Sequence, residues 1–308
     1  MTAVRMTLLA ALWGSAFLWI RLALDNGLTP VQITVVRSAL GAGVLLVLAA
    51  LAGQRLPRDR ATWLRLLVAA FFCNALPFLL FALGQRTVDS GIAGVINATT
   101  PLWSLLIGFA LGTDRPLRPV RLAGLVLGFA GVVLIFAPWQ ASGLLSRNAL
   151  ALVGAAASYA VAFAYMARKL TGRGSAPLAL SAAQLMTATG LSLLALPTAG
   201  GAPVTATGIT ATGVLAVTAL GVLSTGLTFY LSYRIVADEG ATSAATVGYL
   251  LPVVSVSLGA LVLGEEIGPR TLAGMAIVLT GVALTRRPQG AAGPADRTPS
   301  RAGRLASP

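Results

Sequence analysis

Residues able to carry out covalent or redox chemistry are scarce in this chain. It has no His and one Cys, Cys73, which excludes an imidazole base, a Cys–His nucleophile, a zinc site and a disulfide. Its nine Asp and Glu fall between apolar runs or at their ends, never well inside one. An enzyme built here would have to use Ser, Thr, Tyr or a single Arg, and so would lack both an acid–base pair and an activated nucleophile. No metal and no cofactor is expected. What remains is a set of polar and aromatic side chains set in apolar sequence: Trp13, Arg37, Asn74, Asn97, Thr100, Trp103, Tyr159, Gln184, Tyr230 and Tyr249. Such side chains can bind a solute, and they form the candidate lining of a substrate cavity.

Their spacing carries information. Asn97, Thr100, Pro101 and Ser104 follow one another at i, i+3, i+4 and i+7, which is one face of a helix. Thr34, Arg37, Ser38 and Gly41 repeat that pattern, and Ser181, Gln184 and Ala188 give it again. A polar group turned to lipid without a partner costs about 2–7 kcal/mol, so these faces point inward, either to line a cavity or to join helices. Arg37 lies about 10 Å below the end of its run, at 1.5 Å per residue from Pro30. A charge near the bilayer centre costs roughly 2.5–3.5 kcal/mol. Three roles are open to it: reaching the interface with its long stem, attracting an anionic group of a substrate, or tying helix carbonyls together. Pro101 and Pro252 are candidate helix breaks, since Pro lacks an amide donor and clashes with the carbonyl four residues back. The carbonyls freed by them, those of Asn97 and Gly248, need protein or a wet cavity.

The elements that position these residues are membrane helices. Hydrophobic residues form 56% of the 308-residue chain and charged residues 10%, far from the roughly 25% charged of a soluble domain. Mean hydropathy is +0.85. A helix crossing a ~30 Å hydrocarbon core needs about 20 apolar residues. Ten such runs are present: Met6–Leu24, Pro30–Ala52, Thr62–Gly84, Ser90–Gly112, Leu122–Ala137, Asn148–Ala167, Pro177–Leu196, Gly208–Tyr233, Ala241–Leu263 and Thr271–Thr285. They are continuous rather than alternating, which indicates helices and not barrel strands. The net charge of +13 comes from Arg scattered singly in short loops, a topology signal rather than a nucleic-acid footprint. With the N-terminus inside, Arg55, Arg58, Arg60, Arg115, Arg118, Arg121, Arg168, Lys169 and Arg173 share the cytoplasmic side with both termini. Arg21, Arg86, Arg147 and Arg270 stay outside. The Gly, Ala, Pro, Ser and Arg of residues 286–308 are expected to form a disordered cytoplasmic tail.

Two halves of the chain resemble each other. Pro30, Thr34 and Arg37 correspond to Pro177, Ser181 and Gln184; Phe81, Leu83 and Arg86 to Phe229, Leu231 and Arg234; Pro101, Ser104 and Gly108 to Pro252, Ser255 and Gly259. Leu122-Ala123-Gly124 reappears as Leu272-Ala273-Gly274. The expected organisation is therefore a first repeat over 1–140 and a second over 148–285, each of five helices. An odd number forces the second copy to thread the bilayer in the opposite sense, the plan of many secondary transporters, with the substrate near the midplane. Gly108-x-x-x-Gly112 and Gly124-x-x-x-Gly128 read as close-packing surfaces.

Trp13-Gly14-Ser15, Arg37, the Pro-x-x-Ser of the fourth and ninth runs, and Leu263-Gly264-Glu265-Glu266 leading into Leu272-Ala273-Gly274 together resemble the EamA-like members of the drug/metabolite transporter superfamily. The resemblance covers residues 1–285. It implies export of small metabolites such as amino acids, nucleosides or drugs, with helices one to four and six to nine forming the pathway and five and ten peripheral. The first copy departs from the family pattern: it reads Gly112-Thr113-Asp114 where Gly-Glu is usual. If Glu265 caps the short helix that follows it, the first copy manages with Asp114. The function expected is a secondary transporter of the cytoplasmic membrane, an exporter working by alternating access. A channel or sensory module is the alternative, and an intramembrane enzyme a more distant one. With no carboxylate inside a span, facilitated diffusion or weak coupling through Glu265 and Glu266 is expected. The partners are a small-molecule substrate and the lipid bilayer, with no nucleic acid; a homodimer is left open.

Overall fold

The computed structural model describes residues 2–112, 119–137, 146–170, 176–196, 208–239 and 247–285. The expected tail at 286–308, Asp114 and the start of the ninth run lie outside them. Every regular element among the described residues is helical. Eight helices are long and apolar enough to cross a membrane: α1 (Val4–Asp25), α2 (Pro30–Leu51), α3 (Arg60–Gly84), α4 (Ser90–Ala110), α5 (Pro119–Phe136), α6 (Arg147–Lys169), α7 (Pro177–Leu194) and α8 (Ala211–Ser232). Two shorter apolar helices follow, α9 (Leu251–Leu263) and α10 (Pro269–Leu284). The chain is thus an all-helical, multi-pass membrane protein. Large apolar side chains such as Leu51, Val126 and Leu261 stand exposed on its outside, as a lipid-facing surface allows.

Local sequence sets where the helices begin. Thr29 caps α2 in a reciprocal box with Gln32, Asp59 accepts from Thr62 N at 2.7 Å ahead of α3, and Ser146 and Thr210 do the same for α6 and α8. Each supplies an acceptor to an amide that the helix leaves unpaired. Gly112 ends α4 with φ of 72°, and among the described residues nothing lies within 4 Å of where a Cβ would stand. It is a left-handed terminator and not half of a packing motif, as the Gly108–Gly112 spacing had suggested.

Two kinds of interruption break the regular helices. Wide π-helical turns occupy Phe71–Ala75 in α3 and Val222–Leu227 in α8. Breaks precede Pro101 and Pro252, and here the geometry refines the expectation. Neither Pro sits in the middle of an intact helix; each lies in the first turn of a restarted segment, Thr100–Ala110 and Leu251–Leu263. There its missing N–H is not needed. The Asn97 carbonyl left by the break accepts the Thr100 hydroxyl at 2.7 Å, so it is satisfied by protein.

Among the helix pairings are α5 with α10, α2 with α7, α4 with α9, α3 with α6 and α1 with α8. All five run antiparallel. Along α5 and α10, Gly128 lies against Gly281 and Ile135 against Gly274. Gly41 meets Leu185 while Gln54 reaches back to Ala179 in the α2–α7 pair. Ser15 meets Ser224 and Asn26 meets Thr210 between α1 and α8. Gly124, Gly128 and Gly131 form the flat face on which α10 rests, so the Gly124–Gly128 expectation holds. Exchanging each helix n with n+5 leaves the set of pairings unchanged.

Candidate functional site

Four helices meet around Arg37. Its side chain is buried, 5% exposed, and does not reach the surface. Nε donates to Thr225 Oγ1 at 2.9 Å, and the guanidinium carbon stands 3.7 Å over the centre of the Phe78 ring. A cation over an aromatic face is worth about 2 kcal/mol or more once desolvated. Close approach of α2 to α8 makes this reach feasible: Gly221 and Gly226 lie against Leu40 and Val44, and a Cβ on Gly41 would stand 2.8 Å from the Thr225 methyl. Thr225 itself donates to Leu220 O, five residues back, at 2.9 Å. That bond belongs to the π-helical turn, which leaves the hydroxyl oxygen free to accept from Arg37.

The matching turn in α3 presents Asn74. Its Oδ1 accepts from Gln184 Nε2 at 2.7 Å, joining α3 to α7, and both residues are buried. The Phe72 carbonyl, released by the same turn, accepts Ser158 Oγ of α6 at 2.7 Å. Tyr159, also on α6, lies between Phe81 and Phe163, with ring centres 6.0 and 6.1 Å away, and within electrostatic range of Arg37 and Cys73. Two polar atoms of this centre, Ser38 Oγ and Asn74 Nδ2, are buried without a hydrogen-bond partner. π-Helical turns recur at functional sites because they redirect side chains that a regular helix would not.

The structure therefore brings Arg37, Asn74, Tyr159 and Gln184 together. Asn97 and Thr100 are buried at the α4 break. Tyr230 packs on the apolar cluster that includes Phe78. Trp13 belongs to another cluster, with Leu9, Ala10, Ile235 and Val247, and Trp103 meets Phe129 of α5 edge-on at 4.9 Å. The side chain of Tyr249 lies outside the described part. Thr225 and Phe78 were not expected at the site. A hydroxyl beside Gly226 and an aromatic four residues after Asn74 are the only signals they leave in sequence.

Described residues line two cavities, one near the centre and one at the α4–α9 end. One of about 320 Å³ opens between α2, α3 and α7 and is lined by Val31, Thr34, Phe71, Ala75, Leu76, Leu79, Leu191, Ser192, Leu194 and Ala195. Its two hydroxyls are already spent on their own helices, Thr34 Oγ1 on Pro30 O and Ser192 Oγ on Ala188 O, so its wall is apolar. None of the sequence-predicted lining residues borders it. The second, of about 270 Å³, is polar and collects Asp89, Glu265, Glu266 and Arg270.

Beside this second cavity, Glu265 does not cap the helix that follows it. Gly264, at φ 67°, ends α9, and the Glu265 amide donates back to Gly259 O at 3.1 Å. The turn aims the carboxylate not at the following helix but at α4, where Oε1 accepts from Ser90 N at 2.7 Å and Oε2 from Gly91 N at 3.0 Å. Glu265 caps a helix of the other half.

The fold is that of a multi-pass helical membrane protein with a buried polar centre between its spans. The model of the EamA-like transporter family matches residues 1–137 and again 147–287, and the chain belongs to that family. It is a transporter and not an enzyme. Among its relatives, the uncharacterized transporter YvbV of Bacillus subtilis is 25% identical over 283 residues, covering 92% of this chain and 90% of the relative. The uncharacterized inner membrane transporter YedA of Escherichia coli K12 is 25% identical over 277 residues, 89% and 86% of the two chains. A solved crystal structure described only as that of a protein shares the fold, with a TM-score of 0.63 at 21% identity, covering 92% of this chain and 96% of the other.

Proposed function

We propose that the protein is a secondary transporter of the cytoplasmic membrane that exports a small metabolite by alternating access, built as ten spans in two inverted repeats. The pairing of helices carries the reading. Each of α2, α4 and α5 runs antiparallel to its counterpart five helices on, and exchange of counterparts maps helix pairings onto helix pairings, α2–α8 onto α3–α7 and α4–α6 onto α1–α9 among them. Two copies threaded in opposite senses have that property. The family model's two successive matches support duplication, and the inner-membrane location given for YedA supports the compartment. The polar centre lies where α2 and α3 of one half meet α7 and α8 of the other, the place where rocking of two halves would expose a site alternately. The solute is of amino-acid-like, nucleoside or drug-like size. With no carboxylate inside a span, transport is facilitated diffusion or is coupled weakly at a membrane end.

Counterflow in proteoliposomes tests this. Saturable exchange of a bound solute without a proton gradient is the expected result. Single-channel currents would replace the carrier by a channel. Counterflow that needs a proton gradient and survives Glu265→Gln with Glu266→Gln would overturn the coupling assigned here. Both termini should be cytoplasmic, which labelling of terminal cysteines from either side of the membrane checks.

A further inference from the structure

We propose that the Arg37 centre is an anion site, and that the solute it takes is an amphipathic monocarboxylate. The inference deepens the carrier reading and rests on it. Arg37 is a buried cation whose one hydrogen bond among the described residues uses Nε; nothing there accepts from Nη1 or Nη2. No Asp or Glu lies inside a span to balance it. A buried charge without a counterion is expensive, and the paired nitrogens of a guanidinium match the two oxygens of a carboxylate. Thr225 and Phe78 hold the group by its Nε edge and one face, which leaves the Nη edge as the part that can meet a ligand. Two unpartnered buried atoms, Ser38 Oγ next along α2 and Asn74 Nδ2 one turn before Phe78, supply further donors for an acceptor-rich headgroup.

The remainder of the solute is set by the cavity between α2, α3 and α7. Thr34 on its wall is three residues from Arg37, about 4.5 Å along the helix, and Ala75 is the neighbour of Asn74. The cavity is apolar and its volume is about 320 Å³, at the lower end for small-molecule sites. An aryl or short alkyl body fits it. The ammonium of a zwitterionic amino acid would find no carboxylate in the spans, so a simple acid is preferred to an amino acid of the same shape.

The test uses the purified full-length protein in detergent, titrated with acetate, butyrate, phenylacetate and 4-phenylbutyrate while thermal unfolding is followed. Phenylacetamide, phenethylamine and phenylalanine serve as neutral, cationic and zwitterionic counterparts. Phenylacetate or phenylbutyrate should raise the midpoint, the amide and the amine should not, and phenylalanine should do so weakly. Arg37→Gln should weaken carboxylate binding about tenfold or more. As a second variant, Val31→Phe fills the cavity mouth and leaves the guanidinium in place; it should weaken phenylacetate more than acetate. Equal binding of phenylacetamide, binding that survives Arg37→Gln, or binding of no acid in the series would overturn the proposal. Counterflow of neutral or cationic solutes that ignores Arg37 would sink the anion site and keep the carrier. Arg37-dependent binding of phenylacetate without counterflow of any solute would do the reverse.

Discussion

Removing the Glu265 carboxylate should loosen the contact between the two halves. In the native protein both its oxygens accept from the first amides of α4, Ser90 N at 2.7 Å and Gly91 N at 3.0 Å. Hydrogen bonds to a charged acceptor contribute about 1.5–3 kcal/mol each, and a carboxylate at a helix N-terminus adds about 0.3–1 kcal/mol. These terms are not additive, and Glu265 is half-buried, so water can replace part of what is lost. Glu265→Gln keeps one acceptor, removes the charge and turns an NH₂ toward an amide donor; the expected cost is about 1.5 kcal/mol. Larger domains lose about 2 °C per kcal/mol or slightly more, which makes the shift roughly 3 °C. Glu265→Ala should lose more, and Glu265→Asp should resemble Gln because its shorter stem cannot bridge both amides. Glu266 is exposed, and Glu266→Gln is the control. Intrinsic tryptophan fluorescence at one scan rate in detergent reads the midpoints. If Glu265→Gln unfolds with the wild type, or if Glu266→Gln matches its loss, the cross-half cap is not what the carboxylate provides.

Two other perturbations bear on the same bundle. A Cβ on Gly281 would lie 2.5 Å from Gly128 N and 2.7 Å from Gly124 O, backbone atoms that cannot step aside, so Gly281→Ala should destabilise by about 1–3 kcal/mol. Gly43→Ala, with nothing within 4 Å of the added Cβ, should not destabilise and should gain up to about 1 kcal/mol in the same unfolding assay. Asp89 is pushed above the ordinary carboxylate range by partial burial and then by the neighbouring Glu265 carboxylate, with Arg21 pulling the other way. The folded protein therefore holds this proton to a higher pH than the unfolded chain, and stability falls as pH rises from the ordinary carboxylate value through the raised one. Asp89→Asn should flatten that part of the pH–midpoint curve and raise stability at neutral pH by less than about 1 kcal/mol, because the side chain is half open to solvent; a steeper curve would reverse the assignment.

The bundle was legible in sequence because its signal is made of many residues. Continuous apolar runs locate eight long helices within a few positions, and Pro101 and Pro252 mark two breaks, because lipid forbids unpaired backbone. The ninth run is the exception: within its described part, a tight turn at Val247–Tyr249 precedes the α-helix Leu251–Leu263. The burial of Thr34, Arg37, Ser38 and Gln184 follows from the cost of facing lipid, whereas Ser181 stays open and returns its hydroxyl to Pro177 O.

What escaped depends on single atoms across the two halves. A hydroxyl in a membrane helix ordinarily returns its proton to the carbonyl four residues back, as Thr34, Ser181, Thr187 and Ser192 all do. Nothing in composition separates Thr225 from these; only the wide turn in α8, which moves its bond to Leu220 O, sets its oxygen against Arg37. Glu265 misled for a related reason. A glutamate just before a helix reads as a local cap, yet Gly264 in the left-handed region turns it back toward Ser90, a residue of the other half. In both cases the partner lies on a counterpart helix or one beside it, brought near by antiparallel packing of two halves that are far apart in sequence. On the proposed alternating access, the contacts that would rearrange are therefore the ones that local pattern does not contain, and Arg37–Thr225 and Glu265–Ser90 mark the two levels of the bundle where such motion would be felt.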